Sequence, residues 1–395
     1  MGWPAPRSPA EAIDASEFDL AVLDRLLRQS PDESRGAARY LLSANAHLAR
    51  SLRFRARRWK TSWTRADGML RVDDATRQEL AKNRLQSREY SPTALELFAR
   101  CPYRFYLSAI LRLSPRDEVA ALEELDPLQR GRLIHEVQMR VMRSLKADGA
   151  LPVTPDRLDR ALAVLDEELD AAAGRYREEL APAIERVWDD GVERIRRDLR
   201  EWLQRSSEEP HWRPRAFELG FGLPGRRDLD PASVDEPVSV AGARLRGSID
   251  LVEERSTGAG LALRATDHKT GRAPESEVVV IGGGRALQPL LYALALEALE
   301  PRHPIVEGRL YFCTSRGGYA ERVVPLDDLG RDRVRRVLDE VDRAVDLPFL
   351  PAFPEPGGCA RCDYLTVCGP REEQRTARKA EVVEIKAMLR MRDEK

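Results

Sequence analysis

Two aspartates lie in neighbouring segments that read as a β-hairpin. Residues 244–254 and 261–271 alternate apolar and polar side chains, and the turn-forming stretch 256–260 joins them. If this turn forms the tip of the hairpin, paired residues have numbers that sum to 517, which sets Asp250 opposite Asp267. Their Cβ atoms would then be roughly 5 Å apart, and opposed like charges are destabilising unless a cation lies between them. The spacing therefore predicts a divalent metal site.

Lys269 belongs to the same predicted site. Side chains alternate along a strand, so Lys269 projects on the same side as Asp267, two residues earlier. A lysine at that place can orient or help deprotonate the attacking water and can stabilise charge on a phosphate. Carboxylate oxygens suit Mg²⁺ or Mn²⁺ better than zinc. The alternative is a surface hairpin with two ordinary acids and a salt-bridging lysine.

Three further polar residues lie on predicted helices. His135 follows Gly131 on one helix, where a lone histidine is usually a surface or core residue. Gln288 and Tyr292 are four residues apart on another helix, after three glycines, and so share one face. Such a pair normally packs or contacts solvent. Each of these residues alone is a weak signal for a site.

Taken in order, four short segments resemble the motif set of RecB-family PD-(D/E)XK nucleases. They are Gly-Arg-Leu-Ile-His at 131–135, Gly-Ser-Ile-Asp at 247–250, Asp-His-Lys-Thr-Gly at 267–271 and Gln-Pro-Leu-Leu-Tyr at 288–292. The resemblance covers roughly residues 88–372. It implies a restriction-endonuclease-like fold, a mixed sheet flanked by helices, and Mg²⁺-dependent or Mn²⁺-dependent cleavage of DNA.

The resemblance also implies a role for each residue. By this resemblance the metal is bound by His135, Asp250, Asp267 and the backbone carbonyl of His268. Lys269 is implied as the catalytic lysine, and Gln288 and Tyr292 are implied to shape the site and hold DNA. His268 replaces the aromatic residue that is commoner between the second acid and the lysine. Because that position contributes only its carbonyl, activity is not placed in doubt.

A cysteine cluster near the end of the chain predicts a second metal centre. Cys359, Cys362 and Cys368 form three-quarters of a thiolate site, and Cys101 can supply the fourth ligand. Four thiolates suit zinc or an iron–sulfur cluster, and the alternative is three reduced cysteines in a tail. The resemblance to AddB subunits, and to some CRISPR-associated and replication nucleases, implies a [4Fe–4S] cluster. We expect Cys313 to be a buried small side chain.

Composition is that of a soluble globular protein. The chain has 395 residues, 42% of them hydrophobic and 33% charged, with a net charge of −1. No apolar run approaches the roughly 20 residues of a bilayer span, and a cytoplasmic location is expected. Because the net charge does not favour nucleic acid, any DNA contact must come from local patches.

Periodicity divides the chain into a helical first half and an α/β second half. Strands are predicted at 215–222, 237–254, 261–268 and 306–313, with helices at 91–107, 126–145, 285–299 and 327–345. We expect a helical extension at 1–87 and a nuclease domain at 88–372 that carries a helical insertion at about 146–206. A charged terminal helix at 373–395, in a segment that reads as helical from residue 371, follows.

A basic segment at 51–60 interleaves cations with aromatic residues. It contains Arg53, Arg55, Arg57, Arg58 and Trp59. Such a segment can track a single strand of DNA by phosphate contact and base stacking. A solvated amphipathic helix, or a face that docks on a partner, fits the pattern equally well.

The leading hypothesis is a DNA exonuclease, cutting single strands, that acts in double-strand break repair. No phosphate-binding loop occurs in the sequence, so this chain cannot run a helicase motor by itself. Its opening residues resemble the stretch before the nuclease of AddB-like proteins, which implies a helicase–nuclease partner. The alternatives are a non-cutting iron–sulfur module that binds DNA ends and a CRISPR-type spacer-processing nuclease.

Overall fold

A computed structural model describes residues 5–70, 73–115, 122–209, 211–258, 260–274, 280–369 and 371–394. Within these ranges the chain forms fourteen α-helices and eight strands. The helices are α1 Ala15–Arg28, α2 Pro31–Ala44, α3 Ala46–Arg58, α4 Asp74–Ala81, α5 Pro92–Arg100, α6 Pro102–Phe105, α7 Pro127–Ala147, α8 Leu158–Leu180, α9 Glu185–Glu208, α10 Gln288–Leu299, α11 Asp328–Asp346, α12 Leu365–Cys368, α13 Glu372–Thr376 and α14 Val383–Asp393. The strands are β1 Glu89–Tyr90, β2 Arg213–Phe221, β3 Val238–Val240, β4 Ala243–Leu245, β5 Gly247–Thr257, β6 Gly260–Lys269, β7 Ile305–Phe312 and β8 Glu321–Pro325.

The chain divides into two compact units. The first comprises Met1–Met69 with Arg371–Ala380, and the second comprises Leu70–Pro370 with Glu381–Lys395. The segment expected to be one terminal helix from residue 371 is therefore two helices, α13 in the first unit and α14 in the second. No described helix combines the length and apolar character that a membrane span needs.

A buried carboxylate holds the first unit together. Asp67 has no exposed surface and forms ion pairs with Arg375 and with Lys379, the latter at 2.9 Å. Nearby, Arg58 donates to both carboxylate oxygens of Glu372 at 2.7 Å. Buried ion pairs of this kind are costly to break because the partner left behind keeps its charge. Residues 371–380 are thereby fixed against the end of α3.

The second unit is built on a mixed five-stranded sheet of order β2-β5-β6-β7-β8. The β5–β6 hairpin pairs Leu251 with Thr266 and Thr257 with Gly260, which confirms the predicted register sum of 517. Strands β6 and β7 are parallel, so their connection must cross over, and α10 lies in that crossover. The sheet edge strand β8 was not predicted.

The two faces of this sheet carry different helices. Leu251 and Tyr311 pack on one face in a hydrophobic core with α7, α8 and α9. Because side chains alternate, Asp267 projects on the opposite face, where α10 packs on β6 and β7. There the helix approaches closely at Gly308, where a Cβ atom would lie 2.0 Å from the carbonyl oxygen of Pro289. The mixed sheet flanked by helices confirms the predicted fold class.

The helix expected to run from Ser91 through Leu107 is interrupted. Ser91 caps α5, accepting from the backbone N–H of Ala94 at 3.2 Å, and Pro92 is the first helical residue, as predicted. Cys101 is extended, with φ −167° and ψ 117°, and ends the helix. A residue that precedes proline is disfavoured in the helical region, and Pro102 follows here. A small sheet of order β1-β4-β3 lies apart from the main one.

Candidate active site

Three carboxylates stand in a row across neighbouring strands β2, β5 and β6. The paired register of the hairpin ends at Leu251 and Thr266, and Asp250 and Asp267 are the next residues on the two strands. The backbone N–H of His268 donates to Asp250 Oδ2 at 2.7 Å. Glu218 stands on β2 between the pairs Phe217–Leu251 and Leu219–Ile249, and so opposite Asp250. Burial, followed by the repulsion of Asp250, raises the pKa of Glu218.

Glu218 is the site residue that sequence reasoning missed. It has φ +56°, in the left-handed region that non-glycine residues rarely adopt, and such strain clusters at functional sites. Its Oε2 accepts from Ser248 Oγ at 2.7 Å and from Arg226 at 3.3 Å, so the carboxylate is held in place. The available signal was a single acid within an otherwise apolar stretch of a predicted strand.

His135 reaches the row from α7. Its Nδ1 lies 3.4 Å from Asp250 Oδ2. Burial would lower the pKa of His135, but the carboxylate of Asp250 outweighs this effect and raises it to about 9. In return, His135 opposes the effect of burial on Asp250 and brings the pKa of that carboxyl down to about 2. Without a metal, the two residues form an ion pair.

Asp267 and Lys269 form a second ion pair on β6. Burial and the nearby Asp250 raise the pKa of Asp267 to about 6, although Lys269 acts in the opposite direction. Burial alone would lower the pKa of Lys269, and Asp267 raises it above the ordinary value. In this ion pair Lys269 is therefore charged at neutral pH.

His268 directs its side chain away from this row. The ring lies against Trp202 and Tyr311 on the face covered by α7 to α9, and burial lowers its pKa to about 3. Its imidazole is therefore neutral, and it also lies edge-on to the ring of His135, with 6.3 Å between the ring centroids. Its backbone N–H is the group that contacts the row directly, through Asp250.

Gln288 and Tyr292 begin α10 beside the carboxylate row. Tyr292 is buried, its ring lies against Gly247 on β5, and burial raises the pKa of its hydroxyl. A buried acid, Glu96 on α5, accepts from the backbone N–H of Gln288 at 3.1 Å and of Leu287 at 2.8 Å. Glu96 thus fixes the start of α10, a function that sequence reasoning also missed.

The donors at this site fit a divalent cation. Ligand atoms of His135, Glu218 and Asp250 all lie within 4.8 Å of one another, and among the described residues no other histidine, cysteine or acid joins such a group. Asp267 does not belong to that triad, but it stands next in the row and is paired with Lys269. One imidazole and several carboxylates are the donors that Mg²⁺ and Mn²⁺ accept.

The four predicted cluster cysteines lie on segments that contact one another. Cys101 immediately precedes α6, and burial raises the pKa of its thiol. The backbone N–H groups of Tyr103 and Phe353 both donate to the carbonyl of Pro351, at 3.1 Å and 2.8 Å. Arg104 pairs with Asp363, next to Cys362, at 3.1 Å, and the N–H of Glu355 donates to the carbonyl of Arg100 at 2.8 Å. In the part of the chain that is described, the sulfurs do not form a group within 4.8 Å. Cys313 is buried, as expected.

The basic segment forms the end of α3, with its cations unequally engaged. Arg58 is mostly buried in its ion pair with Glu372 and is not available to a ligand. Arg57 lies over the ring of Phe54 at 5.9 Å, and Trp59 is covered in part by Arg378 at 5.7 Å. Arg53 and Arg55 are exposed.

A mixed sheet with neighbouring carboxylates, a histidine and a lysine at one end is an arrangement that can hold a divalent metal beside a cation. The sequence profile of the PD-(D/E)XK nuclease superfamily matches residues 89–369, which is more than half of the chain. The chain therefore belongs to the PD-(D/E)XK nuclease superfamily. No curated protein matches it.

Proposed function

We propose that this chain is a RecB-type DNA exonuclease that requires Mg²⁺ or Mn²⁺ and cuts single strands during double-strand break repair. The observation that carries the proposal is the row of three carboxylates flanked by His135 and Lys269. Inert surface acids would not be buried, would not have opposed pKa values and would not be gathered around one imidazole. Nuclease activity and a divalent metal also follow from the family.

Each side chain then has a distinct task. His135, Glu218, Asp250 and Asp267, with the carbonyl of His268, would hold the metal, which when bound supplies Lewis-acid stabilisation of the phosphate. Lys269 lies two residues after Asp267 on β6. Its positive charge would stabilise the charge that develops on the phosphate, or would orient the attacking water. Gln288 and Tyr292, fixed through Glu96, would hold the DNA strand.

The test is cleavage of end-labelled single-stranded DNA with Mg²⁺ by wild-type protein and by Asp267→Ala and Lys269→Ala. We expect rate losses of about 100-fold or more in both variants, the usual cost of removing a transition-state contact. Asp189→Ala and Lys82→Ala, at exposed positions, are matched controls that should cut at the wild-type rate. Equal rates in all five proteins would refute the site.

Circular single-stranded DNA separates an exonuclease from an endonuclease. A circle has no end, so an exonuclease leaves it intact while it degrades the linear strand of the same sequence. We expect this outcome at all Mg²⁺ concentrations that support cleavage. Linearised circles as the first product would indicate an endonuclease with the same residues.

We also propose that Cys101, Cys359, Cys362 and Cys368 hold a [4Fe–4S] cluster. Support comes from the hydrogen bonds and the ion pair that join the segment of Cys101 to residues 351–363, which contain Cys359 and Cys362. Protein purified without oxygen should be brown and contain about four irons, and Cys101→Ser should lose them. Colourless protein with one zinc would contradict the cluster.

The biological setting we propose is an AddAB-like assembly, in the cytoplasm, in which a helicase partner delivers the strand. Within the basic segment, Arg53, Arg55 and Arg57 are the candidates for a weak DNA contact, alongside Trp59, because Arg58 is engaged with Glu372. Co-purification with a helicase subunit, and faster resection of duplex ends by the pair than by either protein alone, are the expected results. Full resection by the isolated chain would exclude an obligatory partner.

A further inference from the structure

A second cleft of about 1020 Å³ lies beside the metal site, outside the carboxylate row. The start of α7, one face of α9 and the loop after β7 form its walls. Three exposed arginines line it: Arg194 and Arg197 from α9 and Arg316 from the loop. We call this cleft the arginine groove.

One buried aspartate assembles the arginine groove. Asp198 accepts from Arg130 at 2.5 Å, from the backbone N–H of Ser315 at 2.9 Å and from the hydroxyl of Tyr319 at 3.3 Å. It therefore joins α7, α9 and the loop at one point. The groove is a built feature of the fold, because these walls are held together by hydrogen bonds to a buried charge.

Most acids of the groove are already engaged. Glu201 pairs with Arg205 at 2.7 Å, and Asp126 caps α7 by accepting from two backbone N–H groups. In contrast, none of the three exposed arginines has an ion pair or hydrogen bond to another described residue, and Glu124 is the remaining exposed acid. The groove thus carries an excess of uncommitted guanidinium groups, which suits a chain of phosphates.

The arginine groove continues from the metal cleft. That cleft has a volume of about 670 Å³ and is lined by His135, Glu218 and the exposed Arg132. Pro127 lines both spaces. A hydrogen bond also links their walls: the hydroxyl of Thr314, next to Ser315 of the groove, donates at 3.2 Å to the carbonyl of Thr270, which lines the metal cleft. A polymer could therefore pass from one to the other.

We propose that the arginine groove binds the single strand of nucleic acid that extends from the metal site, with Arg194, Arg197 and Arg316 as phosphate contacts. The inference rests on the proposed nuclease function and adds the path of its substrate. From His135 to Pro127 the axis of α7 measures about 12 Å. At about 3.4 Å per stacked nucleotide, the groove begins three to four nucleotides from the cleavage point.

The test is the salt dependence of binding to fluorescein-labelled (dT)12, measured by anisotropy between 50 and 300 mM KCl in EDTA, so that no cleavage occurs. Each phosphate contact to a single strand contributes about 0.7 to the slope of log K against log salt. The variant R194A/R197A/R316A should therefore lose about 2 from the magnitude of the wild-type slope. Thermal melting of both proteins should agree, since the three side chains are exposed.

The matched control is R186A/R213A/R302A, which removes three exposed arginines that do not line the groove. It should keep the wild-type slope. An unchanged slope in the groove variant, or an equal loss in the control, would overturn the arginine groove as a strand site. If the groove variant alone changes slope but wild-type protein never cuts DNA, the groove stands and the proposed nuclease function fails. If wild-type protein cuts DNA but the groove variant keeps the wild-type slope, the proposed nuclease function stands and the arginine groove fails.

Discussion

Proton competition at His135 should control how tightly the site binds its metal. A histidine must be neutral to ligate a metal, whereas His135 has its pKa raised to about 9 in the metal-free protein. At pH 7 that proton must leave, and two pH units of competition weaken Mg²⁺ binding up to about 100-fold. We therefore expect affinity to rise up to about 100-fold between pH 7 and pH 9.

Isothermal titration calorimetry in two buffers of different ionisation enthalpy measures this effect. At pH 7 about one proton should be released for each Mg²⁺ bound, and the number should fall toward zero above pH 9. Below about pH 6 the dependence should steepen, because Asp267, whose pKa is about 6, then also binds a proton. Asn at position 135 keeps a donor without a titrating proton, so His135→Asn should give a flat profile between pH 7 and pH 9.

Equal Mg²⁺ affinity at pH 7 and pH 9, with no proton release, would refute the reasoning.

The same pKa shifts also determine how the stability of the fold changes with pH. A raised pKa favours the fold below the unfolded value and the benefit is lost as pH rises through the folded value, which is about 9 for His135 and about 6 for Asp267. The contribution of these two groups to the stability of the metal-free protein in urea should therefore decrease as pH rises from 4 to 9.

Three other substitutions have defined outcomes. Glu218→Gln should weaken Mg²⁺ binding at least about tenfold by calorimetry, since loss of even an outer partner of a metal ligand has that effect, and wild-type affinity would remove Glu218 from the site. Asp67→Ala leaves Arg375 and Lys379 buried without their shared counterion, so the free energy of unfolding in urea should fall by about 3–5 kcal/mol, and a loss below about 1 kcal/mol would contradict this role. The pKa of Glu253 is lowered to about 2, because two arginines outweigh the effect of its burial. Its ionised carboxylate therefore stabilises the fold above pH 4.5, and this stabilisation is lost as pH falls from 4.5 to 2. Glu253→Gln should remove this part of the pH dependence of the free energy of unfolding.

Local patterns predicted the hairpin and its acids. The register of β5 and β6 follows from one tight turn and strict alternation, both of which lie within residues 244–271. The interruption at Cys101 had a local signal too, in the proline that follows it. Where neighbours in sequence determine the geometry, the sequence was sufficient.

Long-range contacts were not predictable in the same way. Glu218 reaches the site because β2 pairs with β5, about 30 residues further along the chain. The backbone of Glu218 also adopts a left-handed conformation that no local sequence pattern predicts. The division of the C-terminal segment depends on Asp67, more than 300 residues from its partner Arg375. Such pairings depend on which residues the tertiary structure brings together, and local sequence patterns do not predict this.

The close approach at Gly308 has a consequence for mutational tolerance. Any side chain there would collide with the carbonyl of Pro289 and push α10 away from the sheet, and with it Gln288 and Tyr292. A saturation library selected for DNA cleavage should therefore find position 308 as intolerant as the catalytic positions, although Gly308 has no side chain that could take part in the reaction. Intolerance at this residue would report the spacing between a helix and a sheet, and not chemistry.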